Sequence, residues 1–462
     1  MQLLVEMPIL HDMLYPLSLK QIESLMPVWL FSYWERLRSS PFFYRIIRGA
    51  FWLVVGAVIS RGLTFASSAL VARMLGKEGF GELCIIQSTL GMFGVFAGFG
   101  LGVTATKYVA ELREKDKERA GCILGLSAVT SWTIAILVVA ALFMLAPILA
   151  EKTLAAPHLT GEIRKGALLV LFGAISGAQT GALSGFEAFK QIAQVSISSG
   201  LAGFPFVVIG CWFFGLSGAI YGLIVTQAIN CGLNWRALVN ESRRSGVPLW
   251  SPKWYTELPV LWKFSCAAVL ASVLISPSLW YCQTLLATQP SGFMGLAEYF
   301  VGAQWRGFVQ YFPGLLSTAY LPVLASVINE ENGRTLKIIT GNVLLSTGVT
   351  AGCALLVFIA GPWILQAYGQ SFTSAMPVLG LMLLTGIIDS ANSTLLQTLM
   401  AAGKAWLRLI SNSCWAVLMI SVSLFLVPKY GALGLALAAC IAQFIHLIMQ
   451  IPLTSYALRQ TR

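Results

Sequence analysis

The chain has 462 residues, of which 57% are hydrophobic and only 11% charged. A soluble domain carries about 25% charged residues, so a water-facing surface of this size is excluded and the solvent for most of the chain is lipid. The net charge of +11 would suggest nucleic acid in a soluble protein. No aromatic-basic segment accompanies it here, and nucleic acid is not expected as a partner.

Residues 1–48 read as a cytoplasmic or interfacial extension. Within it Leu25–Trp34 is apolar but short and broken by Pro27, which suits a helix lying on the membrane better than one crossing it. No basic segment or small-residue cleavage site marks a signal peptide, and Met13 and Met26 offer alternative starts.

A hydrocarbon core needs about 20 apolar residues per crossing. Twelve spans are predicted on that ruler, near 50–72, 81–105, 121–148, 166–187, 195–214, 216–235, 264–287, 298–325, 339–365, 376–400, 408–427 and 431–455. A helix satisfies its own backbone in lipid, so the fold class is an all-α polytopic membrane protein. Of the 30 Lys and Arg residues, 22 fall on one side of this arrangement and six on the other, with Arg61 and Arg306 inside spans. The positive-inside rule makes the rich side cytoplasmic, placing both termini there and the protein in an inner membrane. The charged stretch Lys107–Arg119 is expected to form a solvated helix with i,i+4 pairs.

Several features recur at a shift of 216 residues. Gly215 and Gly218 map to Gly431 and Gly434, Glu82 to Glu298, and Gly125 to Gly341. The organisation expected is a first six-helix bundle over 49–236, a basic linker over 237–263 and a second bundle over 264–462. An even number of helices per repeat gives both bundles the same orientation, related by a pseudo-two-fold axis along the membrane normal.

The stretch Ala69–Glu114, ALVARMLGKEGFGELCIIQSTLGMFGVFAGFGLGVTATKYVAELRE, resembles the first spans of the polysaccharide and oligosaccharide flippases. These belong with the multidrug, oligosaccharidyl-lipid and polysaccharide exporters. The segments GFEAFK at 185–190, Phe214–Gly222, Gly314–Ser326, AAGKAWLRL and VPKYGALGLALA extend the resemblance over about residues 45–455. These are packing motifs, so they speak to fold more than to substrate. The resemblance implies a transporter moving a polyprenyl-diphosphate-linked oligosaccharide from the cytoplasmic to the periplasmic leaflet for O-antigen, capsule or exopolysaccharide synthesis. Its implied partners are that lipid-linked oligosaccharide, membrane lipids and polysaccharide-assembly proteins.

Arg61 lies mid-span in VVGAVISRGLTFASS. A mid-membrane arginine costs about 2.5–3.5 kcal/mol on insertion scales, so it faces a partner or a wet cavity. A guanidinium pairs bidentately with phosphate oxygens. Arg61 is therefore a candidate contact for the substrate's diphosphate, the alternative being a structural pair with a carboxylate. Arg306, beside Gln304 and Trp305, is expected about two turns inside the eighth span, as a lumen cation or an interface anchor. Pro313 and Pro322 in that span read as bends or a hinge.

Asp389 is the acidic residue placed mid-span. It could take up a proton or Na⁺, or pair with Arg61 or Arg306. The pair is favoured, because it removes two charges from lipid together. Gln179, Gln283, Asn392 and Gln397 extend the polar trail as interhelical hydrogen bonds or sugar contacts. The candidate substrate-binding set is Arg61, Arg306, Asp389, Gln179 and Gln304. Lys107 and Lys404 read as headgroup or loop contacts, and Gly94, Gly98 and Gly102 as a stripe for close helix packing.

No phosphate-binding loop, catalytic triad or Cys-x-x-Cys pair is present, and His11, His158 and His446 are scattered. An enzyme, a metal and an organic cofactor are not expected. A transporter without a nucleotide site would draw on an H⁺ or Na⁺ gradient, the membrane potential or consumption of its product. The competing readings are a cation-coupled multidrug exporter of the same architecture and, less favoured, a glycan polymerase or ligase.

Overall fold

The computed structural model describes residues 41–260, 274–327, 334–401 and 405–460. Leu25–Trp34, Lys404 and the stretch 261–273, which covers the end of the expected linker and the start of the expected seventh span, lie outside the described residues. The chain divides into the units Met1–Trp52 and Leu53–Arg462, and the second holds the helical bundle and the candidate site.

Among the described residues, seven helices are long and apolar enough to cross a membrane. Three of them fold back on themselves at one glycine: Pro41–Gly98 at Gly76, Phe189–Ser245 at Gly215 and Ala405–Gln460 at Gly431. Counting each hairpin as two and adding Ile275–Ala287 and Gly292–Val327 gives the twelve spans the sequence predicts. The single-span helices among the rest are Lys117–Ile148, Thr160–Gly185, Arg334–Ile359 and Met376–Ala401.

The 216-residue repeat is physical. Gly215 has φ 58° and ψ −134°, and Gly431 has φ 54° and ψ −126°. Both match the first central residue of a type II′ turn, a conformation that calls for glycine. Behind each turn the helices touch backbone to backbone. A Cβ on Gly218 would stand 1.8 Å from the Gly210 carbonyl oxygen, and one on Gly434 would stand 2.2 Å from the Leu426 carbonyl oxygen. Residues 210 and 426 are themselves 216 apart. The Gly125 and Gly341 match carries no shared role. Gly125 packs on Trp254, whereas Gly341 has open space around it.

Some boundaries differ from expectation. The second span ends at Gly98 and, after Phe99 and Gly100 with positive φ, continues as Leu101–Leu112. The ninth span stops at Ile359, because Pro362 opens a separate helix, Gly361–Tyr368. The charged stretch is not one helix. Asp116 caps the third span by accepting the Arg119 amide at 3.0 Å. The arginines reach tertiary partners in place of i,i+4 ones: Arg113 pairs with Glu187 and Arg119 with Glu257, both at 2.6 Å. The Glu257 hydrogen bond and charge hold the Arg119 guanidinium above its ordinary pKa.

These contacts define the two ends of the bundle. The end with Lys107–Arg119 and the segment after Ser245 is called the basic face. The end with Gly76, Gly215 and Gly431 is called the short-turn face.

Candidate functional site

The lobes meet along a seam in which the first span runs antiparallel to the eighth and the second to the seventh. At the short-turn face Lys77 of the second span enters a socket on the other lobe. It contacts the Glu298 carboxylate, the Ser371 carbonyl at 3.1 Å and the Ser374 hydroxyl at 3.1 Å. Arg73 donates to the Gln366 carbonyl at 2.9 Å, and Phe80 packs edge-on to Tyr368 and Phe372.

One layer deeper, Gln304 accepts from Ser68 at 3.2 Å and from Tyr368 at 3.1 Å. Ser88 bonds to Gln283, and the Trp280 indole donates to Thr89 at 2.9 Å. The inner end of the seam is aromatic. Phe65 stacks on Trp305 with centroids 4.7 Å apart, and Phe308 meets both edge-on. Below them the Arg61 guanidinium lies 4.5 Å over the Tyr311 ring and makes a long, 3.5 Å hydrogen bond to the Gly307 carbonyl.

Arg61 lies about one turn deeper than Arg306: its guanidinium meets the Tyr311 ring and the Gly307 carbonyl, whereas Trp305, next to Arg306, meets Phe65 nearer the short-turn face. Along its own helix Arg306 follows Gly292 by about four turns, roughly 21 Å. This corrects the expectation that Arg306 lies about two turns inside. Its helix begins at Gly292, not near 298, because Ser291 with φ 57° turns the chain earlier. Snorkelling to the short-turn face is out of reach.

The expected pairing of Asp389 with an arginine is not what the structure holds. Its two oxygens accept from the side-chain amides of Gln310, in the eighth span, and Gln443, in the twelfth. Arg306 packs its side chain at the Gly386 position, one turn from Asp389, and its buried Nε has no partner. Among the ion pairs between described residues none includes Arg61, Arg306 or Asp389. The structure thus gathers Arg61, Arg306, Gln304 and Asp389 along the seam and the adjoining face of the second lobe. Gln179 is not among them; it is buried within the first lobe, beside Ser176 and Cys231.

Two cavities of about 460 Å³ each adjoin the seam and share Gln87. One is amphipathic, with Thr64, Ser67, Ser68, Thr226 and Gln304 among its apolar walls. The other is a groove between the second and fourth spans floored by Gly91, Gly94, Gly98, Gly173 and Gly177. The glycine stripe is therefore only partly close packing. A Cβ on Gly102 would lie 3.0 Å from the Gly177 carbonyl oxygen, but Gly94 and Gly98 have nothing within 4 Å. Among the described residues no three His, Cys, Asp or Glu side chains are placed to hold a metal ion.

Sequence reasoning missed Tyr311, Gln310, Gln443 and Lys77 as members of the site. Tyr311 and Gln310 lie within two turns of Arg306 on its own helix, a spacing that pointed to them. Nothing in the sequence singled out Lys77, since lysines near helix ends are ordinary.

A family model described as "Polysaccharide biosynthesis protein" matches residues 46–328. The chain is similar to the EPS I polysaccharide export inner membrane protein EpsE of Ralstonia nicotianae, 24% identical over 85% of this chain and 91% of the relative. It is also similar to the Lipid III flippase of Escherichia coli, 21% identical over 85% and 94%. Among solved structures it is similar to an inward-facing multidrug resistance MATE family transporter of the MOP superfamily. That match has a TM-score of 0.68 at 14% identity and covers 88% of this chain and 99% of the other. The eukaryotic MATE transporter AtDTX14 matches with a TM-score of 0.66, also at 14% identity, over 90% and 99%. The two-lobe, twelve-span fold is shared with the MATE structures, and the family match runs through both seam-forming helices of the first lobe and on to the eighth span: this multi-pass membrane chain belongs to the polysaccharide biosynthesis protein family.

Proposed function

We propose that the protein is a flippase that carries a polyprenyl-diphosphate-linked oligosaccharide across the inner membrane, from the cytoplasmic to the periplasmic leaflet. The basic face is cytoplasmic on the positive-inside rule, both termini lie there, and the short-turn face is periplasmic. The seam closes the periplasmic end, so the lumen loads from the cytoplasm, and rocking of the lobes releases the glycan on the other side.

The observation that supports this reading is the pair Arg61 and Arg306, within about one turn of each other along the inner part of the seam, with no ion pair to either among the described residues. Cations held mid-membrane without a counter-charge suit an anionic ligand, and a diphosphate offers acceptors to both guanidiniums. The relatives named for polysaccharide export and for lipid III flipping support the substrate class. A multidrug exporter would share the fold, but uncompensated arginines disfavour its cationic cargo.

The test locates the lipid-linked glycan in cells that lack the protein, in inverted vesicles and in spheroplasts, with a glycan-binding reagent that does not cross membranes. The expected result is accumulation at the cytoplasmic face, relieved by the wild type and not by Arg61→Ala at equal protein level. Normal delivery to the periplasm without the protein, with no second flippase present, would overturn the reading in favour of drug export. Relief by Arg61→Ala would keep the flippase and reduce Arg61 to a structural role.

A further inference from the structure

The amphipathic cavity lies beyond Arg61 on the side of the short-turn face. Thr64, on its wall, follows Arg61 by about one turn of the first span, and Val71, also on its wall, follows it by about 15 Å along the helix. The second, fifth and sixth spans enclose it within the first lobe, and Phe300 and Gln304 of the eighth span close it from the other lobe. Its volume of about 460 Å³ falls within the range of about 300–1,000 Å³ usual for small-molecule sites.

Among the described residues no charged side chain lines this cavity. It offers neutral hydrogen-bonding groups that the protein itself leaves unused. Ser67 is only 9% exposed, and its hydroxyl has no partner among the described residues. The Gln304 oxygen is held by Ser68 and Tyr368, which leaves the amide nitrogen of the same side chain as an unused donor. Thr64 and Thr226 give their protons to carbonyls of their own helices, at 2.9 and 2.7 Å, and keep oxygens that can accept. Buried polar groups are nearly always paired, so a row of unused ones facing a cavity calls for an occupant. Donors and acceptors without charge, set between the Phe80, Phe204 and Phe300 rings, match a sugar ring, which carries hydroxyls at its rim and C–H groups on its faces.

The repeat shows that the fold does not require the space. At a shift of 216, Thr64 becomes Trp280, Ser67 becomes Gln283, Gly203 becomes Met419 and Thr226 becomes Ala442. Met419 and Ala442 are completely buried. The Gln283 oxygen is taken by Ser88 and the Trp280 indole by Thr89. The second lobe thus fills with paired or apolar side chains what the first leaves hollow. Gly203 and Thr226 are matched: a Cβ on Gly203 would stand 2.4 Å from Thr226 Cγ2, so a methionine enters only where the threonine is gone.

We propose that this cavity binds one uncharged sugar residue of the carried glycan, a hexose or an N-acetylhexosamine, while the arginines hold the diphosphate. The proposal rests on the flippase reading and adds to it a neutral site on the far side of Arg61 from the basic face. Because Phe300 and Gln304 belong to the second lobe, the cavity is complete only while the seam is closed. Rocking of the lobes withdraws that wall, so the sugar loses the Gln304 amide as the short-turn face opens. A ligand that favours one of two states stabilises that state by its difference in affinity. The bound sugar therefore favours the loaded, closed seam until the lobes part.

The test measures binding to full-length purified protein in nanodiscs. The probes are undecaprenyl diphosphate alone and the same lipid bearing glucose, galactose or N-acetylglucosamine. The expected result is that at least one sugar-bearing lipid binds roughly tenfold tighter than the bare lipid, the net yield of one or two hydrogen bonds. Ser67→Ala cuts that preference about fivefold. Gly203→Met combined with Thr226→Ala, which installs the pair found in the second lobe, abolishes the preference and leaves bare-lipid binding as in the wild type. Equal affinity for all four lipids in the wild type, or a preference that survives in the filled variant, overturns the proposal. A folded filled variant that loses the bare lipid as well also overturns it, since the cavity then holds lipid. Absence of binding of every probe counts against the diphosphate reading instead. In that case, or if the filled variant does not fold, saturation-transfer NMR with the methyl glycosides of the three sugars decides. A transfer signal in the wild type that weakens in Ser67→Ala supports the cavity, and no signal, or an equal one, overturns it.

Discussion

Gly215 and Gly431 hold the same backbone conformation 216 residues apart, each closing a helical hairpin with its short-turn residue at positive φ. Any other residue there would carry its Cβ into a conformation that costs on the order of 1–3 kcal/mol. Gly431→Ala and Gly215→Ala should each lower thermal stability by that amount, read as a fall in the melting temperature of purified protein. Gly218→Ala should cost more, because its Cβ would collide with the Gly210 carbonyl oxygen and force the fifth and sixth spans apart. Equal melting temperatures for Gly218→Ala and wild type would contradict the hairpin geometry.

The turns are legible in the sequence because they depend on local backbone chemistry, which a glycine spells out. The span count is legible because lipid demands long apolar runs. The partner of Asp389 is not. A carboxylate in a membrane needs donors, and arginines and amides both supply them. Only the placement of the eighth, tenth and twelfth helices decides that Gln310 and Gln443 arrive first. The depth of Arg306 escapes a reading of sequence for a simpler reason: the start of its helix is set by Ser291, and hydropathy does not register a six-residue extension. Gly94 and Gly98 look like packing residues in the sequence, because a sequence shows that a side chain is missing but not whether a neighbour fills the space.

Lys77 and Glu298 join the lobes at the short-turn face, both mostly buried. Removing one member leaves the other charge uncompensated, an effect of about 3–5 kcal/mol in a fully buried pair and less in one partly wet. Lys77→Glu should therefore favour the state opened at the short-turn face and depress glycan delivery. The exchange Lys77→Glu with Glu298→Lys should recover most of it, although Ser371 and Ser374 are arranged for a lysine on the other lobe. Accessibility of seam residues to a water-soluble label added from outside gives the readout. A double variant no better than the single would mean that the two charges do not act on each other.

The segment after Ser245 is strapped to the third span by two unlike contacts. Arg119 and Glu257 form an ion pair in which the arginine is half exposed, and such pairs contribute roughly 0–1 kcal/mol. Gly121 instead lets Pro248 approach so closely that a Cβ would stand 2.6 Å from its ring and 2.7 Å from its carbonyl oxygen. Glu257→Gln should leave the strap docked, and Gly121→Ala should lift it, with limited proteolysis near Trp250 to Lys253 as the measurement. The raised pKa of Arg119 adds a sign. Its contribution is complete below the guanidinium's unfolded value and lost only as pH rises through the higher folded one, so neutral or mildly alkaline pH should not release the strap. Faster cleavage in Glu257→Gln than in Gly121→Ala would reverse this ranking.

Gly94 faces the groove in the first lobe, and its equivalent in the second lobe is Gln310, which reaches Asp389. The groove therefore occupies, in the first lobe, the position that Gln310 fills in the second, with the side chain stripped away. Nothing lies within 4 Å of a Cβ at Gly94. Gly94→Leu should fold, and its stability should equal or exceed wild type, since glycine in a helix costs about 0.8–1.0 kcal/mol relative to good helix formers. Transport should nonetheless fall at least tenfold, because leucine occupies space that a bulky glycan needs as it passes the second span. Gly102→Ala makes the contrast: its Cβ meets the Gly177 carbonyl oxygen at 3.0 Å, so it should lose stability before it loses transport. Glycan delivery and melting temperature measured on the same preparations separate the two. A stable Gly94→Leu protein that delivers glycan at the wild-type rate would place the path elsewhere in the lumen, along the arginine-bearing face of the second lobe alone.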